Sequence, residues 1–285
     1  MANRSGKAAS GDLYARVAEV DEATLARIAG LLELRGRHPE QQRIRREYLD
    51  EVTVWSGARV LEVGCGTGVV TRDLAERVGS SGSVLALDPS EVFLAEARRL
   101  ATGLANVELR LGDAAALELP DNSFDVTVAA TVISHVPARD AMLRELARVT
   151  RPGGLVLVFD GDYAANQLEH PDVALTQRLL DAWRMSFVND PRVMRRLIPM
   201  LAGARLDVLV LRGYVHVEAG RLETETSFLW PWAQLVARNG VDAGTASQAE
   251  ISAWLRELEA LSERGAAFGS ITFFSVVARR SDADS

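Results

Sequence analysis

The stretch VLEVGCGTGVVTRDLAERVG, residues 60–79, sets an apolar run against three alternating glycines, Gly64, Gly66 and Gly68, and then passes into a helical pattern. Glycine has no Cβ, so it lets the backbone turn through positive φ and lie close to a bound molecule. One reading is a turn shaped only for tight packing. The other is the strand–turn–helix at which doubly wound sheets hold a nucleotide. The residues on either side favour the second.

Downstream the chain alternates. Strand-like runs at 60–63, 84–88, 107–111, 125–130 and 155–159 are separated by helical patterns at 70–78, 91–102 and 139–149. That alternation predicts a mostly parallel sheet wrapped by helices on both faces. RPGG, 151–154, reads as a turn that ends a helix and launches a strand. Upstream, residues 1–12 read as a disordered tail, followed by two helices in DEATLARIAGLLELRG (21–36) and HPEQQRIRREYLDEV (38–52). After Phe159 the rhythm changes to helical stretches at 172–188 and 191–203, a long strand at 205–217, helical patterns over 223–264 and a strand at 271–280. The expected fold is an α/β, Rossmann-like doubly wound sheet with an antiparallel edge strand, N-terminal helices and a helical cap. It forms one domain over 13–280, with a core at about 55–160 and cap helices at about 163–203 and 223–264.

Composition narrows the function. Of 285 residues, 48% are apolar and 25% charged, the balance of a globular chain. No apolar run reaches the ~18 residues of a membrane span. The opening MANRSGKAASGD lacks the apolar centre of a secretory signal, so a cytoplasmic protein without a membrane partner is expected. The net charge of −7, without a basic stripe, predicts no nucleic-acid partner. Cys65 is the only cysteine, which excludes an intrachain disulfide and a cysteine metal cluster; inside the glycine turn it reads as a small packing residue. Lys7 is the only lysine and falls in the expected tail, leaving no lysine for Schiff-base chemistry in the core.

The spacing of the turn selects among nucleotides. Dinucleotide sites use G-x-G-x-x-G. Here the pattern is Glu62-x-Gly64-x-Gly66-x-Gly68, with the third glycine one residue early. Asp88 ends the next strand about 20 residues on, where a carboxylate can accept both hydroxyls of a ribose. The ligand then has a ribose and needs no strong phosphate cradle.

VLEVGCGTG, LALDPS, GDAAALELPDNSFDVTVAATVISHV and LRELARVTRPGGLVLVFD together resemble the motif series of class I S-adenosylmethionine-dependent methyltransferases. The resemblance covers about residues 55–160 and is strongest to the small-molecule group that includes ubiquinone and menaquinone biosynthesis methyltransferases. It implies S-adenosylmethionine as cofactor and assigns roles by position. Gly64, Cys65, Gly66 and Gly68 would pass along its methionine part, and Glu62 would orient its ammonium group. Asp88, with Pro89 and Ser90, would take the ribose, Asp113 and Ala114 the adenine. Ala130 and Thr131 would lie near the sulfonium.

Methyl transfer from a sulfonium is an in-line displacement with a good leaving group, so positioning and exclusion of water matter most. His135, just after the fourth strand, is the candidate base where the acceptor must lose a proton, a structural histidine being the other reading. Asp160 and Asp162 follow the fifth strand at the same mouth of the sheet. The acceptor is expected to be a small, apolar or aromatic molecule, with Tyr14, Tyr163, Trp183 and Trp230 as candidate contacts and FLWPWAQ as an aromatic turn at the pocket mouth. No metal site is expected, because His170 and His216 stand isolated in sequence, and the chain is expected as a monomer or homodimer. Two alternatives stay open: a protein of the same fold that binds the cofactor without transferring methyl, and an NAD-dependent oxidoreductase.

Overall fold

The computed structural model describes Asp12, residues 20–222 and residues 227–281. Two helices, α1 (Glu22–Arg37) and α2 (Pro39–Asp50), precede the sheet. Asp21 caps the first and His38 the second, where Pro39 takes the first helical position. The parallel core then alternates as β1 (Arg59–Val63), α3 (Val69–Val78), β2 (Ser83–Asp88), α4 (Glu91–Leu100), β3 (Val107–Leu111), β4 (Phe124–Ala130), α5 (Arg139–Val149) and β5 (Thr150–Gly161). These five strands lie in the order β3-β2-β1-β4-β5. Thr150 pairs with Phe124 and Leu155 with Val126, so RPGG loops out of register, turned at Gly153 (φ 72).

From Val60 to Val63, β1 is apolar except at Glu62, because both its faces are covered. Val60 enters the core beneath α2 and α3 with Ile44, Tyr48 and Leu74, whereas Leu61 and Val63 enter the opposite core with Leu143 and Leu146 of α5. Alternating side chains thus feed two cores from one strand.

The second half adds a two-residue strand β6 (Gln167–Leu168), α6 (Val173–Phe187), α7 (Leu197–Gly203), the long β7 (Leu206–Gly220), α8 (Leu229–Asp242), α9 (Gln248–Glu263) and β8 (Ala267–Arg280). β8 runs antiparallel to β5 on one side, where β6 also pairs with it, and antiparallel to β7 on the other. The expected antiparallel pair is therefore present, with the later strand in the inner position. The aromatic turn expected at FLWPWAQ is instead the first turn of α8, where Pro231 is tolerated because its missing N–H would have no helical partner. Trp232 is buried in the core and Trp230 half-buried against it.

α9 begins with a capping box: the Ser247 side chain accepts from the Glu250 N–H, and Glu250 accepts in return from the Ser247 N–H at 2.7 Å. Ser247→Ala is expected to lower stability by about 1 kcal/mol, read as a small fall in the denaturation midpoint.

Candidate cofactor site

The site forms at the carboxyl ends of β1, β2 and β4, the edge at which open α/β sheets place ligands. The glycine turn leaves β1 with Gly64 at φ 65, and a Cβ there would stand 2.4 Å from Val132 Cγ2. Only glycine fits. The Cys65 N–H donates to the Leu87 carbonyl at 3.0 Å, tying the turn to the end of β2. Asp88 completes the tie. One carboxylate oxygen accepts the Gly66 N–H at 2.8 Å, the other the Ser90 N–H at 2.9 Å. Burial raises the Asp88 carboxyl to about 6, against the downward pull of those two amides. The Ser90 hydroxyl caps α4 by accepting from the Phe93 N–H.

Glu62 projects from β1 beneath the turn, only 2% exposed, and accepts the Thr71 hydroxyl at 2.5 Å. Burial, then the nearby Asp88 and Asp73, raise it to about 7 even though the Thr71 bond favours its charged form. Across the mouth, Thr131 ends β4 with φ 57, an uncommon conformation for a β-branched residue. Its N–H donates to the Phe159 carbonyl at 2.6 Å.

α1 closes over the turn. Glu33 accepts the Thr67 hydroxyl at 2.7 Å and both its oxygens accept from the Arg72 guanidinium, at 3.0 and 3.2 Å. No sequence signal joins Glu33 to Thr67, since helical spacing marks only the apolar face of α1.

Two adjoining hollows open here, with about 910 and 870 Å³ of empty space. They share Gly64, Asp88, Phe93, Thr131 and His135. One extends past Pro89 to Asp113 and Ala114. The other runs under α1 and α2 past Glu62, Cys65, Gly66 and Ala130 to a wall of Tyr48, Phe159, Tyr163 and Phe187, with Arg35 at its side. Phe187 and Tyr48 carry no mark that separates them from core aromatics in the sequence.

Of the other sequence candidates, His135 lines both hollows and the rest lie apart. Gly68 is the left-handed N-cap of α3. Asp160 is fully buried and accepts from the Ser134 N–H, the Gly161 N–H and the Tyr163 hydroxyl, latching the loop after β4 onto β5. Asp162 pairs with Arg195 at 2.8 Å. Trp183 stands behind the wall, stacked on Phe187 at 4.7 Å between ring centres. Trp230 lies in α8, and Tyr14 falls outside the described residues. His135, 8% exposed, sets Nδ1 against Asp12 at 2.9 and 3.0 Å from its two oxygens and meets Phe187 edge-on. Asp12 was assigned to the tail by sequence, yet it is buried.

A second cluster brings ligand-type atoms of His38, His216 and Glu218 within 4.8 Å of one another. The Nδ1 of His38 accepts the Glu40 N–H, and the Nδ1 of His216 faces the Gln41 amide nitrogen. With Nδ1 so engaged, each ring turns Nε2 toward the Glu218 carboxylate, at 3.7 Å from His38 and 2.8 Å from His216, whereas a metal would need a lone pair there. Glu218 also accepts the Phe228 and Leu229 N–H groups at the start of α8. The cluster is a hydrogen-bonded clamp between α2, β7 and α8.

The fold is a Rossmann-like α/β sheet with carboxylates gathered at the carboxyl ends of its first strands. Residues 60–154 match the family described as a methyltransferase domain. The chain is 40% identical over 118 residues to the demethylmenaquinone methyltransferase of Geobacillus stearothermophilus, covering 41% of this chain and 50% of that protein. It thus spans half the length of that relative. Its fold matches a SAM-dependent methyltransferase from Aquifex aeolicus (TM-score 0.52, 18% identity, 92% of this chain and 99% of that one). It also matches the [4+2]-cyclase SpnF (TM-score 0.55, 22% identity, 86% and 85%). Residues 60–154 are thus a methyltransferase domain that resembles, over this stretch, the menaquinone methyltransferases. Among the described residues, no helix is long and apolar enough to cross a membrane.

Proposed function

We propose that the chain transfers a methyl group from S-adenosylmethionine to a small apolar or aromatic acceptor. The observation that carries this reading is the junction of the two hollows: one leads to carboxylates suited to a nucleoside, the other to an aromatic wall. The residues fit the cofactor chemically. Asp88 and Asp113 accept from ribose and adenine donors, Glu62 offers a carboxylate to an ammonium, Arg35 a guanidinium to a carboxylate, and Gly64 makes a turn that Val132 closes to any Cβ. The bound cofactor supplies an electrophilic methyl on a sulfonium. The protein holds the acceptor in line and keeps water out, with Thr131 at the junction, Ala130 next to it and Tyr48, Phe159 and Phe187 around the acceptor. His135 is placed to receive a proton where the acceptor has one to lose.

A cofactor-binding protein that transfers no methyl is the second reading, favoured by the cyclase whose fold the chain shares. Calorimetric titration with S-adenosylmethionine, S-adenosylhomocysteine and NAD tests the site: the first two are expected to bind and NAD is not. S-adenosylhomocysteine release in an acceptor screen that starts with 1,4-naphthohydroquinone and 1-naphthol separates the two readings. Binding without release across the screen favours the second, and NAD binding alone overturns both.

A further inference from the structure

Asp12 stands ten residues ahead of α1, yet its carboxylate is buried to 5% exposure. Both its oxygens face His135 Nδ1, at 2.9 and 3.0 Å, and one of them also accepts the Asn189 N–H at 2.9 Å. The same two loops are joined a second time by the Asp190 N–H, which donates to the Ser134 carbonyl at 2.9 Å. Three distant parts of the chain therefore meet at the Asp12 carboxylate, and the imidazole it faces lines both hollows at their junction.

Removing a carboxylate from water is costly unless its partners compensate. A merely structural link between these loops could be made by backbone amides, as at Ser134 and Asp190. A carboxylate on Nδ1 does something more: it keeps the ring proton on Nδ1 and therefore the lone pair on Nε2.

We propose that Asp12 is a positioning residue that holds His135 as a proton acceptor, so that the acceptor class is one whose reacting atom bears a proton, a phenolic or quinol-type hydroxyl. The inference rests on the methyltransferase reading above. In the step it serves, the acceptor oxygen forms its bond to the methyl carbon while the carbon–sulfur bond breaks, its electron pair passing to sulfur. The hydroxyl proton passes to His135 Nε2. The imidazolium so formed is stabilised by the Asp12 carboxylate.

The decisive measurement needs no acceptor. Nitrogen-15 spectra of the histidine rings at pH 8, with His135 assigned by its loss in His135→Asn, are expected to show the Nδ1–H form in the wild type. Asp12→Asn is expected to populate the Nε2–H form, and Asp12→Glu to restore Nδ1–H. Circular dichroism and calorimetry establish that each variant is folded and binds S-adenosylmethionine within about twofold of wild type. With 1,4-naphthohydroquinone or 1-naphthol, Asp12→Asn is expected to lower kcat by roughly 10²-fold at unchanged cofactor KM. An unchanged tautomer in Asp12→Asn overturns the proposal. So does undiminished turnover, or turnover of thioanisole, which has no proton to give at sulfur, on a par with the phenols. Failure of the wild type to bind the cofactor counts instead against the methyltransferase reading, whatever the tautomer shows.

Discussion

Asp88→Ala is expected to weaken S-adenosylmethionine binding by about 3 kcal/mol or more, at least ~150-fold in Kd. A lost ribose bond to a charged group accounts for about 1.5–3 kcal/mol. The remainder comes from the turn itself. Asp88 accepts both the Gly66 and Ser90 N–H groups, so its removal leaves two buried donors without their acceptor and frees the glycine turn from the end of β2. Asp88→Asn separates the contributions: it keeps one acceptor oxygen but sets an amide NH₂ against the other donor. Its loss is therefore expected to approach that of alanine. Calorimetric titration of both variants checks this. An asparagine variant that binds like the wild type would show that Asp88 acts through neither turn nor ribose.

Glu62→Gln is expected to alter both affinity and stability, in opposite senses. Glu62 sits near 7 in the ligand-free protein because it is buried, so at pH 6 it mostly holds a proton. An ammonium group binds its ionised form and must expel that proton. The wild-type affinity is thus expected to fall about tenfold per unit as pH drops below 7. The glutamine variant is expected to bind about 1.5–3 kcal/mol more weakly at pH 8 and to lose that pH dependence. Stability runs the other way. The folded carboxyl titrates higher than its ordinary 4.5, so the folded state retains a proton that the unfolded chain has already released. The contribution is most favourable below 4.5, declines as pH rises towards 7, and leaves a cost of about 3 kcal/mol above that. Ligand-free Glu62→Gln is therefore expected to be more stable than wild type at pH 8 and equal to it near pH 4.5, as read by urea denaturation. Equal stability of the two proteins at pH 8 would mean that burial does not hold Glu62 protonated.

What the sequence made legible follows from range. β1 to β5 and α3 to α5 carry their signals locally, in apolar runs, 3.6-residue periods and Gly/Pro punctuation, and their ends fall close to the expected ones except at RPGG. Gly64 and Asp88 were readable for the same reason: a strand end and a tight turn impose themselves on neighbouring residues. The parts that were not legible are set by contacts between distant residues. Asp12 meets His135 across 123 positions, and His38 meets the 216–218 segment from the far end of the chain. Neither pairing leaves a periodic trace. Trp183 and Trp230 were read as acceptor contacts because apolar aromatics look alike whether they line a cavity or fill a core. α6 places the first behind Phe187, and α8 packs the second against the core. Asp160 shows the converse: a carboxylate at the expected strand end has one oxygen turned to the Ser134 N–H of the loop after β4 and the other to the Gly161 N–H and the Tyr163 hydroxyl.

β8 sets a constraint on how the molecule is made. It is synthesised after β5 and β7 but lies between them. On a ribosome, β5 therefore emerges with one hydrogen-bonding edge bare, and β7 follows with no strand to join. Both wait until residue 280 clears the exit tunnel. Until then Val156, Leu157 and Val158, buried in the finished sheet, sit on a strand of high β-propensity with one edge unpaired, the kind of edge that recruits other chains. Nascent chains stalled before residue 267 should thus be the form of this protein that most needs a chaperone, although by then nearly all of its cofactor edge has been made.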